Sequence, residues 1–293
     1  HQQIWVATSK GVAVLKPGIL GVNYIFHIPG LNQTLASSSV SDLLEDNDGK
    51  IWIATLGKGI DCYNPEDFSI KHYNTNNVKG LKSDKVRCLA LSNNNNVYCG
   101  LWAGVGFGKL DPIDGVFELY TYEPDNTDFD WYNDMVFDKS GNLYLGFWGG
   151  NGLTIFDTAN NQFVRYLKNK FQLVTISRHI TCLNYDSNDR LWVGTTSSGL
   201  HLYLPDQDTS RCYNIKVNPE SGINAAKINV VEEDQYNNIW VGAKGLFLLE
   251  TGNESFKPIN LSSTDDVPEV FSILPEYDTA IWLLTDRGLL CYN

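Results

Sequence analysis

The residues with the clearest potential for chemistry are acidic and lie shortly before an aromatic residue. The stretch EDNDGKIWIATLGKGIDCYN contains Asp46, Asp48 and Gly49, which resemble part of a calcium-binding loop. Such a loop needs oxygen ligands at positions 1, 3 and 5, glycine at position 6 and glutamate at position 12. With Gly49 at position 6, Leu44 falls at position 1 and Thr55 at position 12, so the match fails at both ends. What remains is a polar, Gly-containing turn between two apolar runs, which predicts a β-hairpin.

This turn pattern recurs along the whole chain, as in DKSGNLYLGFWGG, DSNDRLWVGTTSSG and DQYNNIWVGAKG. An aromatic residue follows each turn at intervals of 42 to 48 residues, at Trp5, Trp52, Tyr98, Tyr144, Trp192, Trp240 and Trp282. Seven repeats of this length predict an all-β fold, a seven-bladed β-propeller of four-stranded antiparallel blades, in a single domain over residues 1–293. Asparagines 93–96 replace the acidic groups in the third repeat, which argues against a calcium array. No metal site and no cofactor are predicted.

One repeat shows how a blade is built. The segments SVSDLLED, KIWIAT, KGIDCYN and SIKHYN read as strands A, B, C and D, because each is short and rich in β-branched or aromatic residues. The aromatic residue of strand B is expected to wedge between neighbouring blades. The glycine that opens strand C is expected to need a positive φ. The chain starts at a B strand and ends at a C strand, so both terminal blades are expected to be incomplete.

Composition limits the classes of partner. The 293 residues carry a formal charge of −12, which argues against nucleic acid because phosphate binding needs a positive field. An apolar fraction of 43% allows a sizeable core, and no apolar run is long enough to span a membrane. The six cysteines form no zinc motif and are interpreted as small buried apolar side chains.

The segment from Val40 to Tyr63, with its E-D-x-x-G-K-I-W-I-A-T core, resembles the two-component-regulator propeller repeat. That repeat builds the periplasmic sensors of hybrid two-component systems, familiar from gut Bacteroidetes. The resemblance covers essentially the whole chain and implies a non-catalytic sensor that detects an oligosaccharide from polysaccharide breakdown and signals to transcription. It also implies a longer, membrane-anchored parent protein in the inner membrane, with other domains of the same chain and a homodimer partner as candidate contacts.

A binding site is predicted from the loops. In a four-stranded meander the B–C turns and the D–A links emerge on the same face, and the D–A links here are long and polar. After the B-strand wedges are assigned, three tryptophans remain, and all of them fall in these loops around blades 3 and 4. Aromatic faces suit sugar rings, and Arg or His can fix hydroxyl or acid groups. The predicted ligand-binding residues are therefore Trp102, Trp131, Tyr132, Trp148, Arg178 and His179.

Two other classes of function remain open at this point. The repeat also resembles propellers of the streptogramin-lyase kind and some glycoside hydrolases. A lyase needs a catalytic histidine near metal-binding acids, yet only His179 of the five histidines lies on the predicted face. A glycosidase needs two facing carboxylates, for which Asp128 and Asp130 are candidates without further support. A protein-docking scaffold fits the same fold. No catalytic residue is predicted.

Overall fold

A computed structural model of the chain describes residues 3–8, 10–16, 22–102, 105–121, 131–148, 152–166, 179–204, 209–214, 219–261, 266–276 and 280–292. Apart from one short 3-10 helix, Pro219–Ser221, the regular structure described is entirely β. The chain forms two compact units, His1–Phe137 and Asp138–Asn293. No helix among the described residues is long and apolar enough to cross a membrane. The prediction of a single domain over residues 1–293 stays a prediction.

The strands form seven antiparallel sheets, which are the seven blades of a β-propeller. Five sheets have four strands, and the first and last have three, as the sequence predicts. The first three blades contain β1 (Ile4–Thr8), β2 (Gly11–Leu15) and β3 (Val22–Phe26); then β4 (Val40–Glu45), β5 (Ile51–Thr55), β6 (Gly59–Tyr63) and β7 (Ile70–Tyr73); then β8 (Val86–Leu91), β9 (Val97–Leu101), β10 (Phe107–Asp111) and β11 (Val116–Tyr120).

The remaining four blades follow the same meander. They contain β12 (Tyr132–Phe137), β13 (Asn142–Phe147), β14 (Leu153–Asp157) and β15 (Gln162–Tyr166); then β16 (Ile180–Tyr185), β17 (Leu191–Thr195), β18 (Leu200–Leu204) and β19 (Thr209–Tyr213); then β20 (Val230–Glu233), β21 (Ile239–Ala243), β22 (Gly245–Leu249) and β23 (Lys257–Ile259); and finally β24 (Val270–Pro275), β25 (Ile281–Thr285) and β26 (Gly288–Tyr292). The second blade contains the four strands predicted for one repeat.

The core lies between neighbouring blades. In the first unit β4 packs against β1 and β8, and in the second unit β20 packs against β16 and β24. Five of the seven B-strand aromatics are buried as predicted, at 6% exposure or less: Trp52, Tyr98, Tyr144, Trp192 and Trp240. For Trp5 and Trp282 the prediction of full burial is wrong, because both are half-buried. Each of these two lies in a three-stranded terminal sheet.

The acidic turns before the tryptophan wedges of blades 2, 5 and 6 are structural elements. In the second blade Asp46 Oδ1 accepts the backbone N–H groups of Asp48 and Lys50 at 2.9 and 3.0 Å. Its Oδ2 accepts the indole N–H of Trp52 at 2.8 Å. Because backbone and indole donors already occupy both carboxylate oxygens, this carboxylate closes the hairpin and fixes the wedge. Asp186 and Asp234 hold Trp192 and Trp240 in the same way.

The glycine that opens strand C has a positive φ in every blade where it was predicted. The values run from 68° to 117°, at Gly59, Gly106, Gly152, Gly199, Gly245 and Gly288. At Gly59, a Cβ would also lie 2.1 Å from the backbone oxygen of Tyr73. Both the dihedral angle and this close approach require glycine there.

Candidate functional site

Two of the three predicted tryptophans come together in the first unit. Trp102 directly follows β9, and its backbone N–H donates to the carbonyl of Lys85 at 2.8 Å. Trp131 directly precedes β12. The two rings stack with centroids 5.5 Å apart and planes at 24°, and Trp131 stays 36% exposed. The pair therefore presents a flat aromatic surface to solvent, which we call the tryptophan surface.

Arg87 adds a cation to this surface and was not predicted. Its guanidinium carbon lies 6.0 Å from the Trp102 ring centroid, and its Nε and Nη2 donate to Asn133 Oδ1 at 3.2 and 2.9 Å. Arg87 sits at a register shift of β8 between Val86 and Cys88. Similar bulges occur in β4, β16 and β24. A β-bulge re-aims a side chain, and the residue pattern of a strand gives no reliable sign of it.

The third tryptophan makes a separate pair in the second unit. Trp148, 38% exposed, follows β13 and forms a β-bridge with His179. Their rings meet edge to face with centroids 5.1 Å apart and planes at 68°. The β-bridge thus brings together two residues that the sequence placed in the B–C turn of blade 4 and in the D–A link into blade 5.

Two other residues of the predicted binding site, Tyr132 and Arg178, are not seen on the exposed surface that the structure describes. Tyr132 is only 1% exposed, because it starts β12 and packs on Phe107 with ring centroids 5.4 Å apart. The expectation that Tyr132 offers a polar contact on the surface is therefore corrected: it is a core residue. Arg178 lies outside the described residues, as do the acidic pair Asp128 and Asp130.

The first unit also contains a cleft of about 430 Å³ on the predicted class of loops. One wall is residues 27–36, the D–A link from blade 1 to blade 2, which we call the link wall. The opposite side comes from the B–C turn of blade 2 and the next D–A link. The lining outside the link wall is Lys58, His72, Asn74, Asn76 and Asp84. We call this site the link cleft. The sequence indicated both D–A links as recognition loops, but counting tryptophans directed the prediction to blades 3 to 5.

The link wall is tied by its own hydrogen bonds. Leu31 N donates to the carbonyl of Ile28 at 3.1 Å across a Pro-Gly turn in which Gly30 has φ 85°. Proline and a left-handed glycine at these positions are typical of a type II turn. Thr34 Oγ1 accepts from Ile28 N at 3.1 Å, and Leu35 is buried against the core.

A buried ion pair fastens the link wall to blade 2. Asp61 is fully buried in β6. Its Oδ2 accepts a hydrogen bond from the backbone N–H of Ala36 at 2.8 Å, and its Oδ1 accepts one from His72 Nδ1 at 2.6 Å. The other ring nitrogen of His72, Nε2, lies 2.8 Å from the carbonyl oxygen of Asn32. Two acceptors on opposite ring nitrogens require a proton on each, so this geometry selects the imidazolium. The hydrogen bond to Asp61 accordingly raises the pKa of His72 above its ordinary value of 6.5, against the opposing effect of burial.

The environments of His201 and His72 are each fixed by their surroundings. His201 is 1% exposed in β18, and desolvation lowers its pKa to about 4, so it is neutral. His72 is engaged by Asp61 and Asn32. Among the described residues, no three His, Cys, Asp or Glu side chains lie close enough together to hold a metal ion.

Comparisons with known proteins agree with this architecture. Residues 34–57 and 176–197 match the model of the two-component regulator propeller family. A histidine kinase P4 from Formosa agariphila is 25% identical over 272 residues, which cover 88% of this chain and 19% of that protein.

Solved structures show the same fold. The extracellular domain of a putative hybrid two component system from B. thetaiotaomicron superposes with a TM-score of 0.71 at 14% identity, covering 99% of this chain and 46% of that one. Virginiamycin B lyase from Staphylococcus aureus superposes with a TM-score of 0.66 at 15% identity, covering 87% of this chain and 84% of the lyase. The chain spans about a fifth of the length of the matching kinase and under half of the sensor domain.

Proposed function

We propose that this chain, a β-propeller that carries two-component-regulator propeller repeats, is a periplasmic ligand-sensing part of a hybrid two-component system. In this proposal the chain is not an enzyme. It binds an oligosaccharide released from a polysaccharide, and other domains of the parent protein pass the signal to transcription. The repeat match and the similarity to a histidine kinase and to an extracellular sensor domain support the sensor class.

The tryptophan surface is the single observation that carries the choice of ligand. Trp131 keeps an exposed ring, and the Trp102 ring stacks on it with centroids 5.5 Å apart. Aromatic side chains offer a large contact area at low entropic cost, and the polarised C–H groups of a sugar face suit the electron-rich ring face. Arg87 lies near the stack and can donate to hydroxyl or acid groups. In the second unit Trp148 and His179 combine an exposed ring with a polar one.

Calorimetric titration with a panel of neutral and acidic oligosaccharides tests this proposal. Trp102→Ala and Trp131→Ala should each weaken the binding of the best ligand about thirty-fold, which corresponds to about 2 kcal/mol. Tyr236→Ala is the matched control, because Tyr236 is 58% exposed on an unrelated turn. If both tryptophan variants bind like the wild type while folded, the tryptophan surface is not the ligand site.

An enzyme is the alternative, and the similarity to a lyase of the same fold favours it. Incubation of the chain with oligosaccharides and divalent cations should give no turnover. A saturable rate that disappears in a His179→Ala or Asp130→Asn variant would replace the sensor proposal with a catalytic one.

A further inference from the structure

We infer that the link cleft is a second ligand site, and that it takes a small neutral, hydroxyl-rich molecule such as a mono- or disaccharide. This inference rests on the proposed sensing function but not on the tryptophan surface. The volume of about 430 Å³ lies within the range of about 300–1,000 Å³ typical of small-molecule sites.

The lining supplies polar groups that can still form hydrogen bonds. Lys58, Asn32 and Asn76 are exposed. Within the described part of the chain, neither the ammonium group nor either of the two side-chain amides has a hydrogen-bond partner. A side-chain amide both donates and accepts hydrogen bonds, as a sugar hydroxyl does. The two amides can therefore pair with neighbouring hydroxyl groups on a sugar ring. Ile28 and Leu31, 46% and 57% exposed, provide apolar surface on the link wall.

The charges in the link cleft are balanced. Lys58 and Asp84 both line the link cleft, where the Asp84 carboxylate accepts hydrogen bonds from Thr75 N at 2.7 Å and Thr75 Oγ1 at 3.0 Å. The His72 imidazolium is opposed by the Asp61 carboxylate. His27 is held through Nδ1 by the carbonyl of Leu35 at 2.6 Å. Because the carboxylates of Asp84 and Asp61 equal in number the cations of Lys58 and His72, the link cleft favours a neutral ligand over a uronate or a sulfated sugar.

The ion pair makes the link cleft preformed. Asp61 and His72 together hold Asn32 and Ala36, at two points of the link wall. A wall that is fixed before binding avoids the ordering cost that a flexible loop adds to association. His72 is thus a positioning residue: it acts through the link wall and not by direct contact with the ligand.

Hydrogen–deuterium exchange of the intact chain with glucose, galactose, mannose, their disaccharides and glucuronate tests the inference. A neutral sugar should raise the protection of the amides of residues 28–36, and glucuronate should have less effect. Lys58→Ala and Asn76→Ala should each weaken that binding about tenfold, as loss of a hydrogen bond near 1.4 kcal/mol does. Lys82→Ala is the control, because Lys82 is exposed on the same D–A link without lining the link cleft.

The positioning role of His72 has its own readout. Raising the pH through the elevated pKa of His72 should remove one of its two hydrogen bonds. As the pH rises, the amide protection of the link wall and the affinity for sugar should therefore each fall about tenfold in the wild type. Both quantities should be independent of pH in His72→Gln. The other charged or ionisable groups that contact His72 or line the link cleft are Asp61, Asp84, Lys58 and His27.

The outcomes separate the two sites. In one outcome, sugar binding is lost in Trp131→Ala but unchanged in Lys58→Ala and Asn76→Ala, and the amide protection of residues 28–36 does not change. This outcome contradicts the link-cleft inference and leaves the proposed sensor function in place. Binding that is lost only in the link-cleft variants supports the link cleft and removes the tryptophan surface. If no sugar of the panel protects residues 28–36, or only glucuronate does, the inference is wrong.

Discussion

Trp192 donates its indole N–H to Asp186 Oδ2 over 2.7 Å, and both side chains are fully buried. The same carboxylate accepts Asn188 N and Arg190 N at 3.0 Å each, and Arg190 Nε at 2.6 Å. One carboxylate thus closes the A–B turn and fixes the aromatic wedge at the blade interface. This arrangement explains why an acidic residue stands six positions before the tryptophan in blades 2, 5 and 6.

Replacing Asp186 with alanine should destabilise the chain by about 3 kcal/mol, because the buried indole N–H loses a charged acceptor. Urea unfolding followed by tryptophan fluorescence measures this change. Asp189→Asn is the control: Asp189 lies in the same turn, has φ 60°, and among the described residues its side chain makes only a surface ion pair with Lys139. Equal losses in the two variants would show that turn shape, and not the buried carboxylate, determines the stability.

The indole hydrogen bond can be separated from ring size by comparing two blades. Trp192→Phe removes the donor to Asp186, whereas the buried Nε1 of Trp282 has no hydrogen-bond partner in the described structure. Trp192→Phe should therefore cost about 1–3 kcal/mol more than Trp282→Phe. Unfolding free energies of the two variants check this difference, and a larger loss at Trp282 would contradict it.

Periodicity alone predicted most of the scaffold. The blade number, the strands of the second blade and the three-stranded terminal sheets followed from a repeat whose turn and wedge are locally encoded. The candidate site was less predictable. Trp102 meets Trp131 because strand parity brings their loops together, but the place of Arg87 depends on a bulge. Tyr132 follows Trp131 directly, yet burial in β12 gives it a different environment.

The link cleft could not be predicted from the sequence for a different reason. Its wall depends on a pair 11 positions apart, Asp61 and His72, which face each other only through the pairing of β6 with β7. The equivalent pair in blade 5 is His201 and Cys212. The repeat therefore fixes where these side chains lie but not which chemistry occupies the position.

Gly222 provides a test of close packing in the second unit. A Cβ there would lie 1.7 Å from the backbone oxygen of Phe256, and φ is 80°. Gly222→Ala should therefore cost about 3 kcal/mol, since the backbone would have to move. Gly252→Ala, with φ 87° and open space around it, should cost about 1 kcal/mol from the dihedral alone. Thermal unfolding of the two variants measures the contrast, and similar melting temperatures would contradict it.

His201 should make the free energy of unfolding fall as the pH drops below 6.5. Burial lowers its pKa from 6.5 to about 4, so between these values the unfolded chain takes up a proton that the folded chain does not. The free energy of unfolding should thus fall by up to about 3 kcal/mol as the pH drops from 6.5 to 4, and stay constant above 6.5 for this group. His201→Leu removes this contribution, so the difference between wild type and variant isolates it from carboxylates that titrate in both proteins.

His72 should show the opposite dependence and serves as the matched control. Its pKa is raised in the folded chain, so its stabilising contribution is complete below 6.5 and is lost as the pH rises through the elevated value. The difference between wild type and His72→Gln should therefore shrink toward high pH, while the difference for His201→Leu changes only below 6.5. Urea unfolding at pH intervals from 4 to 9 gives both curves. If the curve for His201→Leu runs parallel to that of the wild type, His201 is not buried as a neutral base.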